Sequence, residues 1–111
     1  MNSRQVRDLV ESQIANDWAI TNHPGVDLRS ALVTPEKITV IERSVRDGQI
    51  YDQLEIVWLV FAEKTEDGSG YRIVFREKDP IFGLALEGFS NDEHLVLIGW
   101  YGDFMSTFLG M

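Results

Sequence analysis

The clearest pattern of apolar and polar positions lies between residues 54 and 87. Two apolar runs, LEIVWLVFA and YRIVF, flank the polar segment TEDGSG, which contains two glycines. Runs rich in β-branched and aromatic residues on either side of such a segment predict a β-hairpin. Pro80 then interrupts the chain, and IFGLALE predicts a third strand of the same sheet.

The same pattern predicts two further strands and a close-packing site. A strand over residues 37–43 is followed by an Asp-Gly pair at 47–48, which predicts a tight turn. Gly83 and Ala85 share one face of their strand and leave room for a group packed closely against the sheet. The strands at 53–63 and 94–101 are apolar on both faces, as in strands that are covered on both sides. The predicted strands are 37–43, 53–63, 71–77, 81–87 and 94–101.

Helices are predicted at both ends of the chain. Residues 3–18 have apolar side chains at three- and four-residue steps, which predicts an amphipathic helix capped by Ser3 and anchored in the core by Trp18. Residues 104–109 predict a short terminal helix capped by Asp103.

The segment between the first helix and the first clear strand is ambiguous. The cluster TNHPG, which includes His23, predicts a break. The following stretch, 26–33, is compatible with a helical turn or a short extended piece. Pro35 places any strand there at an edge of the sheet.

These elements predict one α+β domain over residues 1–111. It has an N-terminal helix, an antiparallel sheet of four or five strands in a meander, and a short C-terminal helix. Two helices cannot easily cover both faces of such a sheet. Either the sheet curls on itself, or an apolar patch remains for a partner, and the second case predicts a homodimer.

The charge distribution along the chain limits the kinds of partner that the protein is expected to bind. The net charge is −8, and no Lys or Arg follows Lys78, so the C-terminal third is acidic. Such a field disfavours nucleic acid and anionic membranes and favours a basic protein partner, if there is one. The alternative is that the charge confers solubility alone.

Candidate chemistry is sparse. The chain has no cysteine, and its two histidines, His23 and His94, are too far apart for a metal motif. Acidic residues at strand ends are interpreted as solvated rim positions that block edge pairing. We therefore expect no catalytic residue, no metal site and no cofactor. The N-terminus lacks the apolar core of a signal peptide, and no apolar run approaches the ~20 residues of a membrane span, which predicts a cytoplasmic protein.

The densest aromatic cluster is WYGDF at residues 100–104. Aromatic residues beside glycine at a strand end form a recognition surface in some proteins, and closure of the core by the last helix is the other interpretation. On a regular strand, neighbouring side chains point to opposite faces, so one of the two aromatic residues is free for a partner. The predicted interaction surface consists of Trp100, Tyr101, Asp103, Asp92 and Glu93.

Four segments, WLVF (58–61), GYRIV (70–74), FGLA (82–85) and GWYGDF (99–104), resemble a family of small uncharacterised bacterial α+β proteins. The resemblance covers roughly residue 27 to the C-terminus and implies no catalytic residue. In size and acidity the chain is also similar, by analogy, to toxin-neutralising immunity proteins. The prediction is a non-enzymatic bacterial protein-binding module of the immunity type. The alternative is a small-molecule-binding domain or enzyme with a pocket near Trp100 and Tyr101.

Overall fold

The computed structural model of the chain describes residues 1–22, 24–88 and 92–111. His23 and part of the predicted loop at 88–93 lie outside the described residues. In chain order the elements are α1 (Ser3–Ile14), α2 (Leu28–Ala31), β1 (Leu32–Arg46), β2 (Gln49–Ala62), β3 (Arg72–Arg76), β4 (Ile81–Glu87), β5 (Leu95–Gly102) and α3 (Phe104–Leu109).

The five strands close into a barrel in the order β1-β2-β3-β4-β5. Strands that follow each other along the chain pair antiparallel, whereas β1 and β5 pair parallel through Val40–Leu95 and Ile41–Val96. The predicted α+β fold with an antiparallel sheet in a meander is therefore wrong: the chain consists mostly of strands that close into a barrel, and its helices are short. In a meander of five strands the first and last run in the same direction, so closure needs a parallel pairing between distant segments. No local pattern of side chains reports that pairing.

The inside of the barrel is filled by small side chains. Val40, Val57, Val74 and Ala85 are buried there. Larger, partly buried residues pack against them, namely Ile38, Leu59, Leu95, Leu97 and Trp100. The indole of Trp100 fits inside because Gly83 has no side chain: a Cβ there would lie 2.7 Å from Trp100 Cε3. The close-packing position predicted at Gly83 is thus occupied by a side chain of the same protein.

A second core lies between the outer surface of the sheet and the helices α1 and α3. On α3, Phe104 and Phe108 pack edge-on against Phe61, with ring centroids 6.4 and 5.8 Å away. Trp58 of β2 is only 7% exposed in this core, and Trp18 packs at its margin. Of the two strands predicted to be apolar on both faces, β2 therefore faces two different cores from Trp58 onwards, one inside the barrel and one beneath the helices, whereas β5 packs only against the core inside the barrel.

The helix boundaries differ from the prediction at both ends of α1. Asn2, rather than Ser3, is the cap: its side chain accepts from Gln5 N–H, and the Gln5 side chain accepts from Asn2 N–H. The helix ends at Ile14 instead of residue 18, because Ala15 adopts a positive φ of 51°. The segment at 26–33, which the sequence left open between a helical turn and an extended piece, contains both, since the short helix α2 leads directly into β1. The predicted cap of α3 is confirmed, because the Asp103 side chain accepts from Ser106 N–H.

A two-stranded hairpin arm extends beyond the barrel. β1 and β2 remain paired as far as Arg46–Gln49, and Asp47 and Gly48 between them have φ values of 52° and 74°. Two consecutive positive φ values are those of a type I′ turn, which Asp-Gly favours. We call residues 43–52 the arm.

Candidate interaction surface

The outer surface of β1 and β2 becomes exposed where the helices end. Trp58 is buried beneath them, but Ile56, two residues away on the same face, is 70% exposed. Leu54 is 61% exposed, and the pair Val45–Ile50 near the tip of the arm is 68% and 67% exposed. Directly opposed residues of an antiparallel pair point to the same side of the sheet. These four side chains therefore form one surface.

β5 extends this surface sideways. Val96 lies beside Ile41 on one side and Leu86 on the other, and Ile98, two residues further on, is 49% exposed. We call Val45, Ile50, Leu54, Ile56 and Ile98 together the apolar face. Their exposed area is on the order of 500 Å², within the range of the largest apolar patch on a typical monomer, which is often functional.

One arginine neutralises charge in the middle of the apolar face. The Arg43 guanidinium donates to both carboxylate oxygens of Asp52, at 2.8 and 2.9 Å, and to Asp92 Oδ1 at 3.0 Å. The hydrogen bond from Arg43 lowers the pKa of Asp52, and the two carboxylates raise that of Arg43. Arg43 thus ties β1 to β2 and to the segment that precedes β5. The polar groups at the centre of the face are already occupied by each other.

A shallow groove of about 290 Å³ runs along the β5 side of the apolar face. Glu87 lies in its wall, and Asp92 lies against Gly88, where a Cβ would come within 2.1 Å of Asp92 Oδ2. The groove is lined by Arg43, Leu86, Glu87, Gly88, Val96 and Ile98. This side of the face is acidic, whereas the arm carries two arginines and two aspartates and is neutral.

Trp100, predicted as part of the interaction surface, lies inside the barrel. The Arg76 guanidinium covers its ring at 4.3 Å from the centroid and is itself held by Asp79 at 2.6 Å and Glu55 at 3.4 Å. The indole Nε1 is buried and finds no hydrogen-bond partner within the described part of the chain. Trp100 therefore closes one end of the inner core, and its ring occupies the space that a ligand in this position would need.

The other predicted surface residues are not brought together either. Tyr101 lies on the outer side against α3, where a Cβ at Gly110 would come within 3.0 Å of Tyr101 Cε1. Asp103 caps α3 at 2.7 Å from Ser106 N, and this contact lowers the pKa of its carboxyl group. Asp92 lies beside the apolar face through its contact with Arg43, and Glu93, which is exposed, follows it in the chain.

The residues of the apolar face were not among the predicted site residues. The apolar character of Leu54 and Ile56 was visible in the sequence, since the strand predicted at 53–63 is apolar on both faces. The prediction assumed that the whole strand is covered, whereas the helices cover it only from Trp58 onwards. An arm built by extending both strands of a hairpin past the barrel leaves the distal residues without a neighbouring layer.

The described ranges contain neither a metal-binding cluster nor a membrane-spanning helix. No cluster of three or more His, Asp or Glu side chains there could hold a metal ion. None of the described helices has both the length and the apolar character needed to cross a membrane. Comparison of the chain with protein-family models, with curated proteins and with solved structures gives no match.

Proposed function

We propose that this protein is a non-enzymatic protein-binding module that binds its partner at the β5 side of the apolar face. The observation that carries the proposal is the groove beside Ile98, an apolar surface with acidic residues in its wall and at its margin. Burial of such a surface supplies the driving force for association, at about 25 cal/mol per Å² of apolar area.

The charge around the groove supports a basic partner. Glu87 lines it, and Asp92, which precedes the exposed Glu93, contacts the groove residues Gly88 and Arg43. The chain as a whole carries a net charge of −8. Acidic groups at the margin of an interface attract a basic protein during encounter and disfavour acidic competitors. An immunity-type inhibitor of a basic toxin is one protein of this class, and the analogy in size and acidity supports it.

The proposal is tested with Ile98→Lys, a variant that places a charge in the groove. The control is Leu109→Lys on α3, because Leu109 is 52% exposed and Ile98 49%. Each variant and the wild type are immobilised and used to capture proteins from an extract of the native host. The captured protein is then purified, and its association and dissociation rates are measured by surface plasmon resonance.

The expected result is a basic protein that binds wild type and Leu109→Lys alike and binds Ile98→Lys at least about tenfold more weakly. Glu87→Gln combined with Glu93→Gln should lower the association rate more than it raises the dissociation rate, because marginal charges act mainly on encounter. A captured protein that binds Ile98→Lys as tightly as wild type would place the interface elsewhere and refute the proposal.

A further inference from the structure

One edge of β2 is unpaired along much of its length. Residues 49–57 pair with β1 on one side, but on the other side β3 joins β2 only from Trp58 onwards. In a hairpin with a two-residue turn, the residues that flank the turn form a hydrogen-bonded pair, and the hydrogen-bonded pairs then alternate. Even-numbered residues of β2 therefore direct their N–H and C=O groups away from β1. Within the described chain, those of Ile50, Asp52, Leu54 and Ile56 meet no neighbouring strand.

This edge has little of the usual protection against pairing with another strand. Natural edge strands are blunted by charged side chains, above all Lys, by Pro, by bulges or by a covering segment. The two charges on this edge, Asp52 and Glu55, are paired with Arg43 and Arg76. The sequence of the free edge, QIYDQLEIV, contains no Pro, Gly, Lys or Arg, and its register with β1 is regular. The opposite edge of the arm, on β1, carries Arg43 and Arg46, and Asp92 contacts Arg43 from the side of β5. Within the arm, the β2 edge is therefore more open to a further strand than the β1 edge.

We propose that the free edge of β2 pairs with the same edge of a second copy of this chain. The two strands run antiparallel about a twofold axis at Gln53, so that two arms form one four-stranded sheet. Gln53 is the midpoint of residues 49–57, and a centre there uses the whole free edge. This inference goes beyond the proposed function and does not depend on it, because the groove beside Ile98 lies on β5, on the far side of β1.

The side chains along the edge are self-complementary in this register. With Gln53 at the axis, Ile50 of each copy lies opposite Ile56 of the other. These side chains are 67% and 70% exposed in the single chain, and aliphatic cross-strand pairs of this kind stabilise a sheet.

The same register keeps the acidic residues apart. Asp52 lies opposite Leu54, while Glu55 lies opposite Tyr51. A centre at Asp52 or at Glu55 would instead place identical carboxylates face to face, which is destabilising.

The existing strand pairing disfavours one other register, and the distribution of charge favours contact between two copies near the arm. A centre at Leu54 would place Ile50 opposite Trp58, whose edge groups already pair with Phe75 of β3, so that Ile50 would lose its partner. Two chains of net charge −8 repel each other, and the repulsion is weakest near the arm, where Arg43 and Arg46 offset Asp47 and Asp52.

The test is a charge rescue followed by analytical ultracentrifugation of the full chain, from low-micromolar to submillimolar concentration. Ile50→Lys and Ile56→Glu each place a charge opposite an isoleucine of the second copy. The double variant Ile50→Lys/Ile56→Glu instead forms two opposite-charge pairs in the proposed register. Ile98→Lys is the control, since it adds one charge to the apolar face away from the β2 edge. Thermal unfolding by circular dichroism verifies that each variant folds, as expected for side chains that are largely exposed.

We expect wild type and Ile98→Lys to dimerise with similar dissociation constants. Each single variant at the edge should raise the dissociation constant at least about tenfold, and the double variant should restore most of the loss. A wild type that stays monomeric over the whole range overturns the inference, even if the edge captures a strand of another protein. The inference is also overturned if the single variants dimerise as tightly as wild type, or if the double variant does not restore the affinity that the single variants lose.

Discussion

Gly83 gives a sharp test of the inner core. It lies opposite Trp100 in the pairing of β4 with β5, and a Cβ at this position would lie 2.7 Å from both Gly99 O and Trp100 Cε3. The first neighbour is backbone, and the second belongs to a partly buried ring that packs against the inner core under Arg76. Neither can move away cheaply. We expect Gly83→Ala to lower the free energy of unfolding by about 1–3 kcal/mol, the usual cost of overpacking.

The neighbouring glycine of the same strand pair provides a matched control. A Cβ at Gly99 would meet only Tyr101 Cε2, at 3.7 Å, which is an ordinary van der Waals contact. Gly99→Ala should therefore change stability by no more than about 0.5 kcal/mol. The assay is urea unfolding followed by circular dichroism, with stability compared by the midpoint and the slope verified to be unchanged.

A double-mutant cycle then identifies the clashing group. In a Trp100→Leu background, which removes the indole, Gly83→Ala should cost less than in wild type, because only the clash with Gly99 O remains. The reasoning would be refuted if Gly83→Ala and Gly99→Ala had equal effects, or if the cost of Gly83→Ala did not depend on residue 100.

Two further predictions concern the outer core and the cap of α3. Trp58 is 7% exposed beneath the helices, so Trp58→Ala should lower the free energy of unfolding by roughly 3–5 kcal/mol, measured by urea unfolding. A loss below about 1 kcal/mol would show that Trp58 is not buried in this core. Asp103→Ala should cost about 1 kcal/mol near neutral pH, since it removes the cap from Ser106 N–H, whereas Asp103→Asn retains a cap that does not titrate. The folded-state pKa of Asp103 is lowered below the ordinary 3.8 by its hydrogen bonds from Ser106. Its ionic contribution is therefore complete above that value and is lost as the pH falls through the folded pKa. In thermal unfolding from neutral to acidic pH, the difference in melting temperature between wild type and Asp103→Asn should shrink as the pH falls through the folded-state pKa of Asp103. A difference that does not depend on pH would contradict the role of Asp103 as an ionised cap.

Much of the local structure was predicted from the sequence. β4 lies where Ile81–Glu87 predicts it, and the turns at Asp47-Gly48 and at 65–70 join the strands expected on either side. The cap at Asp103 was also predicted correctly. These features depend on residues close together in the chain. Alternation of side chains predicts a strand, glycine at positive φ predicts a turn, and a carboxylate three residues before a free N–H predicts a helix cap.

Tertiary structure decided which of the apolar surfaces are covered. The contact of β5 with β1 closes the sheet, and Trp100 is thereby placed inside the barrel instead of on an interaction surface. The helices cover the outer face of β2 only from Trp58 onwards, and this leaves Leu54 and Ile56 exposed although they share that face. Alternation along a strand assigns a side chain to one of two faces. Whether that face meets a helix, the inside of a barrel or solvent depends on segments far away in the chain, so only the folded arrangement reveals the apolar face and the free edge of β2.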